Sequence, residues 1–463
     1  MRVKSESAFS EGKSQVAESA RRGRICLILL LVIVVSMLAA QAYGQGRPAA
    51  VQLNLQQAVQ MALKQNPSVQ IAVLTLAESH KESNIALSQL LPQADFNVSD
   101  RAIRENIQAA IGVTFPGIPK AAGPFQVFQT GATFSAPIFD LSLWRQWQAS
   151  QKNISGADAA QLSVREQIVL LVVSQYLTSL RASAEIGAAQ AEVDLAQALF
   201  DQASDMEKHG AATGVDVLRA NVELQNEKQQ LIIAQTNQKI AVYGLAKLLN
   251  INPEEEISLS DQMTFFQTPD ISVDESLADA YRSRPEMKQL LAQQQALKYQ
   301  KAADSDSRLP ALTFDGNYEQ QGISTSTVIP TYVYEAGISL PLFTGGRIHA
   351  QLARDELELQ KINESLEDEK DEIALEVQTA AAQLESARNQ VQVANLGDEL
   401  AKEEVQQSGD RFRAGVADNI EVVTAQNALA RADDNRIAAL YQYNQSRADL
   451  AHAIGRIELL YNK

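Results

Sequence analysis

The second half of the chain repeats the first, and this internal duplication constrains the fold more than any other sequence feature. The dipeptide Asn66-Pro67 recurs as Arg284-Pro285 in the second half of a chain of 463 residues. Further pairs recur at nearly the same separation, namely Leu91 and Leu309, Phe96 and Phe314, Pro137 and Pro341, Gly210 and Gly415, and Asp216 and Glu421. Because repeated sequence indicates repeated structure, we predict one structural repeat over 43–250 and a second over 273–458, joined by a connector at 251–272.

Each repeat is predicted to contain two β-strands followed by a very long α-helix. Apolar and polar residues alternate in the four predicted strands, at about 94–105, 126–138, 311–320 and 332–341. The two long helices, at about 142–208 and 346–413, lack proline and carry apolar residues in coiled-coil steps of three and four. At 1.5 Å per residue, about 65 residues span roughly 100 Å, which is more than a globular domain needs.

Some apolar residues of the second long helix fall outside its main apolar stripe. Leu357, Leu375, Val393 and Leu396 are such positions, and they predict a second packing seam. A helix with two seams has neighbours on both sides, as in a wall or a tube. The shorter helix before each strand pair and the shorter helix after the glycine turn have a summed length close to that of the long helix, so we expect them to stack end to end beside it.

The points where a strand turns into a long helix have a recurring composition. The predicted junction residues are Pro137, Phe139, Pro341, Phe343, Gly345 and Gly346. Proline breaks strand pairing because it has no N–H group to donate. A pair of glycines supplies the backbone freedom that a sharp bend requires.

The N-terminus is predicted to be a secretory signal peptide over 1–42. Basic residues precede an apolar run from Ile25 to Ala40, and Ala40-Gln41-Ala42 resembles a cleavage site. The alternative is an uncleaved anchor, although the run of about 16 residues is shorter than the roughly 20 that a membrane helix needs. Cleavage removes Cys26, the only cysteine, so the mature chain is expected to fold without disulfides.

The predicted strands have features of strands that face lipid. They are about ten residues long, as tilted membrane strands are. Aromatic residues near their ends, as in membrane girdles, are Tyr318, Tyr332, Tyr334, Trp144 and Trp147. A small periplasmic sheet is the alternative, since soluble sheets also alternate. Four strands cannot close a membrane barrel, so several copies would share one, and the strand count allows two, three or more.

Composition and motifs disfavour nucleic-acid binding and enzymatic chemistry. The net charge is −16, so no basic surface is available for phosphates. The four histidines are scattered and have no metal-ligand spacing. No nucleophile–base arrangement is recognisable. Asp304 and Asp306 lack the glycine and distal glutamate of a calcium loop. We therefore predict no enzymatic activity, no cofactor and no metal site.

The duplicated segments resemble the TolC-type outer-membrane efflux protein family. The resemblance rests on EKHGAATGVDVLRANVEL at 207–224, on its second copy FRAGVADNIEVVTAQNAL at 412–429, and on the junction ISLPLFTGGR at 338–347. It covers about 52–458. It implies a mainly helical fold with a small membrane β-barrel, in which a trimer forms a 12-stranded β-barrel continuous with a 12-helix periplasmic α-barrel.

The resemblance also implies a function and partners. Such proteins are passive outer-membrane channels that extend far into the periplasm. They bind a periplasmic adaptor protein and an inner-membrane transporter, and they release drugs, metals or secreted proteins. The alternative from the residues alone is an exported, elongated coiled-coil structural protein or adhesin without a channel.

The resemblance further implies two sets of site residues at the periplasmic end. The hairpin tips that contact the adaptor correspond to His209, Gly210, Ala211, Ala414, Gly415 and Val416. The residues lining the periplasmic aperture correspond to Asp216, Glu421 and Thr424. The family carries a second acid at the position of Thr424, so this chain is expected to lack a complete double carboxylate ring.

Overall fold

A computed structural model of the chain describes residues 51–113, 117, 119–210, 212–253, 255–265, 272–414, 416–417 and 419–462. The predicted signal peptide at 1–42 lies outside these residues and stays a prediction. The described residues fall into two compact units. The smaller unit contains 51–53 and 252–258. The larger unit contains 54–251 and 259–462, and the sites described below all lie in it.

The larger unit is built mostly of helices. Its helices are α1 (Leu55–Gln65), α2 (Pro67–Ser88), α3 (Ile107–Ile111), α4 (Leu141–Lys208), α5 (Gly214–Leu248), α6 (Val273–Ser283), α7 (Pro285–Asp306), α8 (Arg347–Arg413), α9 (Asn419–Ala453) and α10 (Ile457–Tyr461). The strands of the chain are β1 (Val51–Leu53), β2 (Gln93–Asn106), β3 (Ala121–Phe139), β4 (Ile257–Leu259), β5 (Ala311–Gly322) and β6 (Ile329–Ser339). β1 pairs with β4 in a two-stranded sheet.

The strands β2, β3, β5 and β6 form one antiparallel sheet in that order. Phe134 of β3 pairs with Gly316 of β5, which pairs with Tyr334 of β6, so the three residues share one face. The centroid of the Phe134 ring lies 5.8 Å from that of the Tyr334 ring. The Phe134 ring lies directly over Gly316. A Cβ atom at Gly316 would lie 2.3 Å from Cζ of Phe134. Glycine is therefore required for this aromatic contact.

Two details of the strands differ from the sequence expectations. β6 ends at Ser339 and not at 341, because Pro341 has no N–H group for the ladder. β3 continues through Pro137 to Phe139, with a register shift between these two residues that absorbs the proline. Trp144 and Trp147, expected at strand ends, lie in the first two turns of α4 with ring centroids 4.9 Å apart.

The long helices follow directly on the sheet. Asp140 caps α4, since its Oδ1 accepts a hydrogen bond from the Leu143 amide at 3.1 Å. α8 begins after Gly345 and Gly346, whose φ angles are 61° and 84°. Such left-handed conformations favour glycine. The two helices have 68 and 67 residues, which agrees closely with the lengths expected from the sequence.

The longer helices pack side by side as four rods, where a rod is either one long helix or two shorter helices joined end to end. α2 and α5 are joined end to end by side-chain hydrogen bonds and both pack on α4, as the summed lengths predict. α7 and α9 are joined in the same way, and both lie between α4 and α8. The order of the rods is therefore α2 with α5, then α4, then α7 with α9, then α8.

The inner seams of these rods are apolar and buried. The predicted stripe of α8 is confirmed by the buried residues Leu366, Ile373, Val377, Ala380, Leu384, Ala387 and Val391. In α4 the stripe includes Ile168, as expected, but Leu171 is exposed while Val172 and Val173 are fully buried. The second seam of α8, including Leu357, Leu375, Val393 and Leu396, faces outward and is exposed. Within the described residues, no helix has both the length and the apolar content to cross a bilayer.

Candidate functional site

The two helical hairpins turn at equivalent positions of the two repeats. His209 ends α4, with its amide donating to the Asp205 carbonyl at 3.2 Å, and Gly210 follows with φ of 75°. Ala414 ends α8, and the exposed Val416 donates its amide to the Arg411 carbonyl at 3.1 Å. The predicted tip residues Ala211 and Gly415 lie outside the described residues.

Asp216 caps the helix that leaves the first turn. Its Oδ2 accepts hydrogen bonds from the Thr213 hydroxyl at 2.7 Å and from the Thr213 amide at 3.0 Å. Thr213 in turn accepts from the Asp216 amide, which completes a capping box. These hydrogen bonds from Thr213 hold the pKa of Asp216 below its usual range. Asp216 is therefore ionised at neutral pH and is engaged in its own hairpin.

Glu421 is engaged in the second hairpin by a different contact. Its Oε1 lies 2.8 Å from Nε of Arg411, near the end of α8, so this ion pair bridges the two helices of the hairpin. Thr424, the third predicted aperture residue, donates its hydroxyl to the Ile420 carbonyl at 2.7 Å. Asp216 thus takes part in the capping box of its helix and also approaches Arg219 at 3.7 Å, while Glu421 pairs with Arg411 across its hairpin.

An apolar groove separates the beginnings of α5 and α9. It is lined mainly by Val215, Leu218, Val222, Ile420, Val423 and Thr424. The groove brings the two hairpins together close to their tips, and Thr424 is the one predicted aperture residue on its wall. The sequence analysis missed the apolar members. Their spacing of three and four residues on the first turns of two equivalent helices is the signal that could have found them.

Carboxylates gather where α4, α5 and α9 meet farther from the tips. Glu192 of α4 lies among Glu223 and Glu227 of α5 and Asp433 and Asp434 of α9. Burial, and then the negative charge of these neighbours, raises the pKa of Glu192 to about 7. Protonation at this contact therefore changes within the physiological pH range.

The junction residues of the second repeat lie in the loop between β6 and α8. Leu342 and Phe343 are 91% and 89% exposed, respectively. The first junction is tighter, because Phe139 ends β3 and Asp140 already caps α4. The two junctions therefore differ in length although they occupy equivalent places in the repeat.

A family model described as Outer membrane efflux protein matches residues 58–250 and 277–456, with one match on each repeat. The chain belongs to the outer membrane efflux protein family. This assignment confirms the resemblance inferred from the duplicated segments.

Individual relatives agree with the family assignment. The chain is 22% identical over 422 residues to the alkaline protease secretion protein AprF of Pseudomonas aeruginosa, covering 89% of this chain and 86% of that protein. It is 21% identical over 414 residues to the pyoverdine export outer membrane protein OpmQ of Pseudomonas putida, covering 86% and 84%. The crystal structure of the Campylobacter jejuni CmeC outer membrane channel superposes with a TM-score of 0.76 at 18% identity, covering 87% and 86%.

Membership of the outer membrane efflux protein family confirms the predicted function as an outer-membrane exit duct of efflux or type I secretion. It also confirms the predicted location in the outer membrane, with a long periplasmic extension. The alternative of a channel-less coiled-coil adhesin is set aside. The family is one of passive outer-membrane channels and is not known as an enzyme family.

Proposed function

We propose that three copies of this chain form a closed channel that is completed by a periplasmic adaptor and an inner-membrane transporter. The observation that carries the proposal is that the edges of the sheet and the edges of the helical layer lie on the same two sides of the chain. β2 and β6 are the edge strands of the sheet. α2 with α5, and α8, are the outer rods of the helical layer. β2 directly follows α2, and β6 directly precedes α8, so both layers end at the same two sides of the chain.

Both sides carry what a second copy would cover. On the outer rods, Ile232 of α5 is 63% exposed and Val393 of α8 is 73% exposed. Exposed apolar residues in a stripe mark an interaction surface. The edge strands would leave backbone groups without partners in lipid, at several kcal/mol each. Joining one copy's α8 side to the next copy's α2 side covers both layers in one step.

The closed ring has the properties of a rotationally symmetric oligomer. Unlike surfaces meet head to tail, and such contacts close only at a fixed number of copies. The TolC-type resemblance implies three, which gives twelve strands and twelve helical positions. The four rods of each chain supply those positions, because α2 with α5 and α7 with α9 each count as one.

Disulfide cross-linking tests the arrangement. Val393 lies in the part of α8 that leads to its end at Arg413, and Ile232 lies a similar distance along α5 from its start at Gly214. The two are therefore at similar heights above the tips. In a background without Cys26, the double variant Ile232→Cys/Val393→Cys should give covalent dimers and trimers under oxidation. Either single variant is the matched control and should give neither. Cross-linked tetramers, or disulfides formed only within one chain, would contradict the proposal.

The tips and the groove between α5 and α9 are proposed to receive the adaptor. Gly210 and the exposed Val416 lie at the turns, and the apolar groove opens beside them. AprF is named for protease secretion and OpmQ for pyoverdine export. Relatives with different cargo support a conduit whose cargo is chosen by the transporter and not by the duct.

A narrower part of the proposal assigns Asp216 and Glu421 to the inner mouth, where they would favour cations. Because Asp216 also caps α5, the informative variant is Asp216→Asn/Glu421→Gln, which keeps hydrogen-bonding atoms at both sites. Single-channel recordings in planar bilayers should show reduced preference for cations over anions. Unchanged ion selectivity would remove these two residues from the aperture and leave the conduit proposal standing.

A further inference from the structure

Two buried aspartates meet where α7 packs on α8. Asp304, in the last turn of α7, is 7% exposed, and Asp355, in the third turn of α8, is 1% exposed. Their carboxyl groups converge on the same guanidinium nitrogen of Arg354. Nη2 of Arg354 lies 2.7 Å from Oδ1 of Asp355 and 3.4 Å from Oδ2 of Asp304, so one guanidinium serves both groups.

The positive charge at this contact does not match the negative charge. Arg354 has a side chain that is 55% exposed, and it also approaches Glu358 at 3.8 Å. Other cations on the packed elements have their own partners, which are Glu356 for Lys301 of α7 and Asp306 for Arg145 of α4. Two ionised aspartates would therefore leave one buried negative charge uncompensated, which is strongly unfavourable.

The hydrogen bonds around the two aspartates also leave one carboxylate oxygen without a donor. Oδ2 of Asp355 is buried and accepts no hydrogen bond from any donor among the described residues. A contact between two carboxyl groups is a hydrogen bond only if one of them carries a proton. In the described part of the chain, no three His, Cys, Asp or Glu side chains are arranged to hold a metal ion. A proton satisfies both the charge and the orphan oxygen.

We propose that Asp304 and Asp355 form a proton-binding site, in which a proton held between the two carboxyl groups ties α7 to α8. The arrangement has the chemistry of the paired carboxylates that share a proton elsewhere in proteins. Burial, the hydrogen bond with Asp355 and the charge of Asp355 raise the pKa of Asp304 above its ordinary value, against smaller opposing effects of Arg354 and Gln300. The proton therefore stays on the folded chain at pH values where an unfolded aspartate has lost it.

The first repeat has no pair of aspartates where its short helix packs on its long helix. Asp304 corresponds to Ala86 and Asp355 to Gln151, and the nearby contact between α2 and α4 is made by neutral side chains. Oγ of Ser150 lies 3.0 Å from Oγ of Ser83, and Nε2 of Gln151 donates to Ser83 at 2.7 Å. Hydroxyl and amide groups supply their own donors, whereas two aspartates need one from solution. A pH dependence of this kind is therefore expected at the second contact and not at the first.

The consequence for stability has a definite sign. Because the folded-state pKa is raised, the stabilisation is complete below the unfolded pKa of Asp304 and is lost as the pH rises through the folded value. The contact lies close to both β5 and the start of α8. Rising pH should loosen the helices next to the sheet before it affects the tips.

Infrared spectroscopy of the detergent-solubilised full chain tests the site directly. Subtracting the spectrum of Asp304→Asn from that of the wild type, at a pH just above the ordinary pKa of aspartate, should leave a C=O stretching band of a protonated carboxylic acid. The matched control is Asp306→Asn, on the same turn of α7, whose difference spectrum should lack that band. A wild-type minus Asp304→Asn spectrum without the band would overturn the proposal.

Thermal unfolding gives an independent measurement. The wild type should lose stability from acidic to alkaline pH, and Asp304→Asn should lose less, because an amide donates its hydrogen bond at every pH. Asp306→Asn should keep the wild-type pH dependence. Equal slopes in the wild type and in Asp304→Asn would count against the shared proton even if both variants fold normally.

Discussion

Asn66 and Arg284 make the same backbone contact in the two repeats with different chemistry. Nδ2 of Asn66 donates to the Leu248 carbonyl at 2.8 Å, and Nη1 of Arg284 donates to the Ala453 carbonyl at 3.4 Å. Each residue precedes the proline that begins a helix, and each contact joins that helix to the end of the helix that completes its rod. Both repeats therefore have this junction between helices, but the side chain that makes it is neutral in the first repeat and charged in the second.

The charge of Arg284 predicts an unequal cost of mutation. Nη1 of Arg284 lies 2.6 Å from Glu376, and its Nε lies 3.0 Å from Glu286. Arg284→Ala should lower the free energy of unfolding by about 2–3 kcal/mol, because it leaves two carboxylates without their buried cation. Denaturant titration measures the change. Arg282→Ala, at an exposed position of α6, is the control and should change it by less than about 0.5 kcal/mol. Equal effects would show that the contact is not stabilising.

The raised pKa of Glu192 predicts stability that falls as the pH rises through about 7. Glu192→Gln should reduce this loss and stabilise the protein at alkaline pH by about 1 kcal/mol, a value reduced because the side chain is partly exposed to solvent. Thermal unfolding at several pH values measures it. Asp194→Asn, on the exposed side of the same helix, should keep the wild-type pH dependence. A wild-type protein whose stability does not fall as the pH rises through about 7 would contradict the burial of Glu192 among acids.

The turn at Gly210 separates a backbone effect from a docking effect. Its φ of 75° makes Gly210→Ala cost about 1 kcal/mol through strain alone, since a Cβ atom there would have no neighbour within 4 Å. Gly210→Glu should in addition abolish export while trimers persist, because it places charge at the proposed adaptor contact. Gly187→Glu, in the middle of α4 and also without close neighbours, should export normally. Normal export by Gly210→Glu would argue against docking at this tip.

The groove between α5 and α9 should matter for export and not for assembly. Leu218→Ser/Ile420→Ser should lower export at least several-fold, because it removes apolar area that a partner would cover. Ile71→Ser, on the exposed side of α2, should weaken the trimer instead. Export assays and native electrophoresis measure the two effects. Loss of trimers in the groove variant would place these residues in the subunit interface.

The aromatic contact over Gly316 predicts that replacing this glycine with alanine destabilises the sheet. Gly316→Ala would place Cβ 2.3 Å from Cζ of Phe134, and overpacking of this kind costs about 1–3 kcal/mol. Gly337→Ala is the control, because its nearest neighbour would be Oγ1 of Thr313 at 3.7 Å. The temperature at which trimers dissociate in detergent should fall for the first and not for the second. A normal temperature for Gly316→Ala would mean that the ring moves freely.

The sequence predicts the long elements well because their signals extend over many residues. The heptad steps of α8 continue through many helical turns, so Leu366, Ile373 and Val377 could be placed in the core with only the pattern. The start of α8 was also predictable, since two adjacent glycines at 345–346 leave few alternatives to a sharp bend. Leu171 shows the limit, because several adjacent apolar residues do not indicate which of them faces the neighbouring helix.

The features that the sequence does not predict depend on contacts between distant residues. The pairing of Glu421 with Arg411 depends on how a turn folds back, and the meeting of Asp304 and Asp355 depends on how α7 packs on α8. The sequence does not distinguish Asp304 and Asp355 from the other acids of the helix surfaces. The groove at the tips went unnoticed for a related reason, since each of its walls comes from a different repeat.

The difference between Asn66 and its counterpart Arg284 in the second repeat has a consequence for any circular arrangement of this chain. Three chains with two repeats each present six backbone positions that are nearly alike, yet a guanidinium stands at every second one. A protein that approached such a circle from outside would find two kinds of place in alternation. In the proposed trimer the internal repeat would give the backbone a nearly sixfold outline, while the difference between Asn66 and Arg284 would lower its chemical symmetry to threefold.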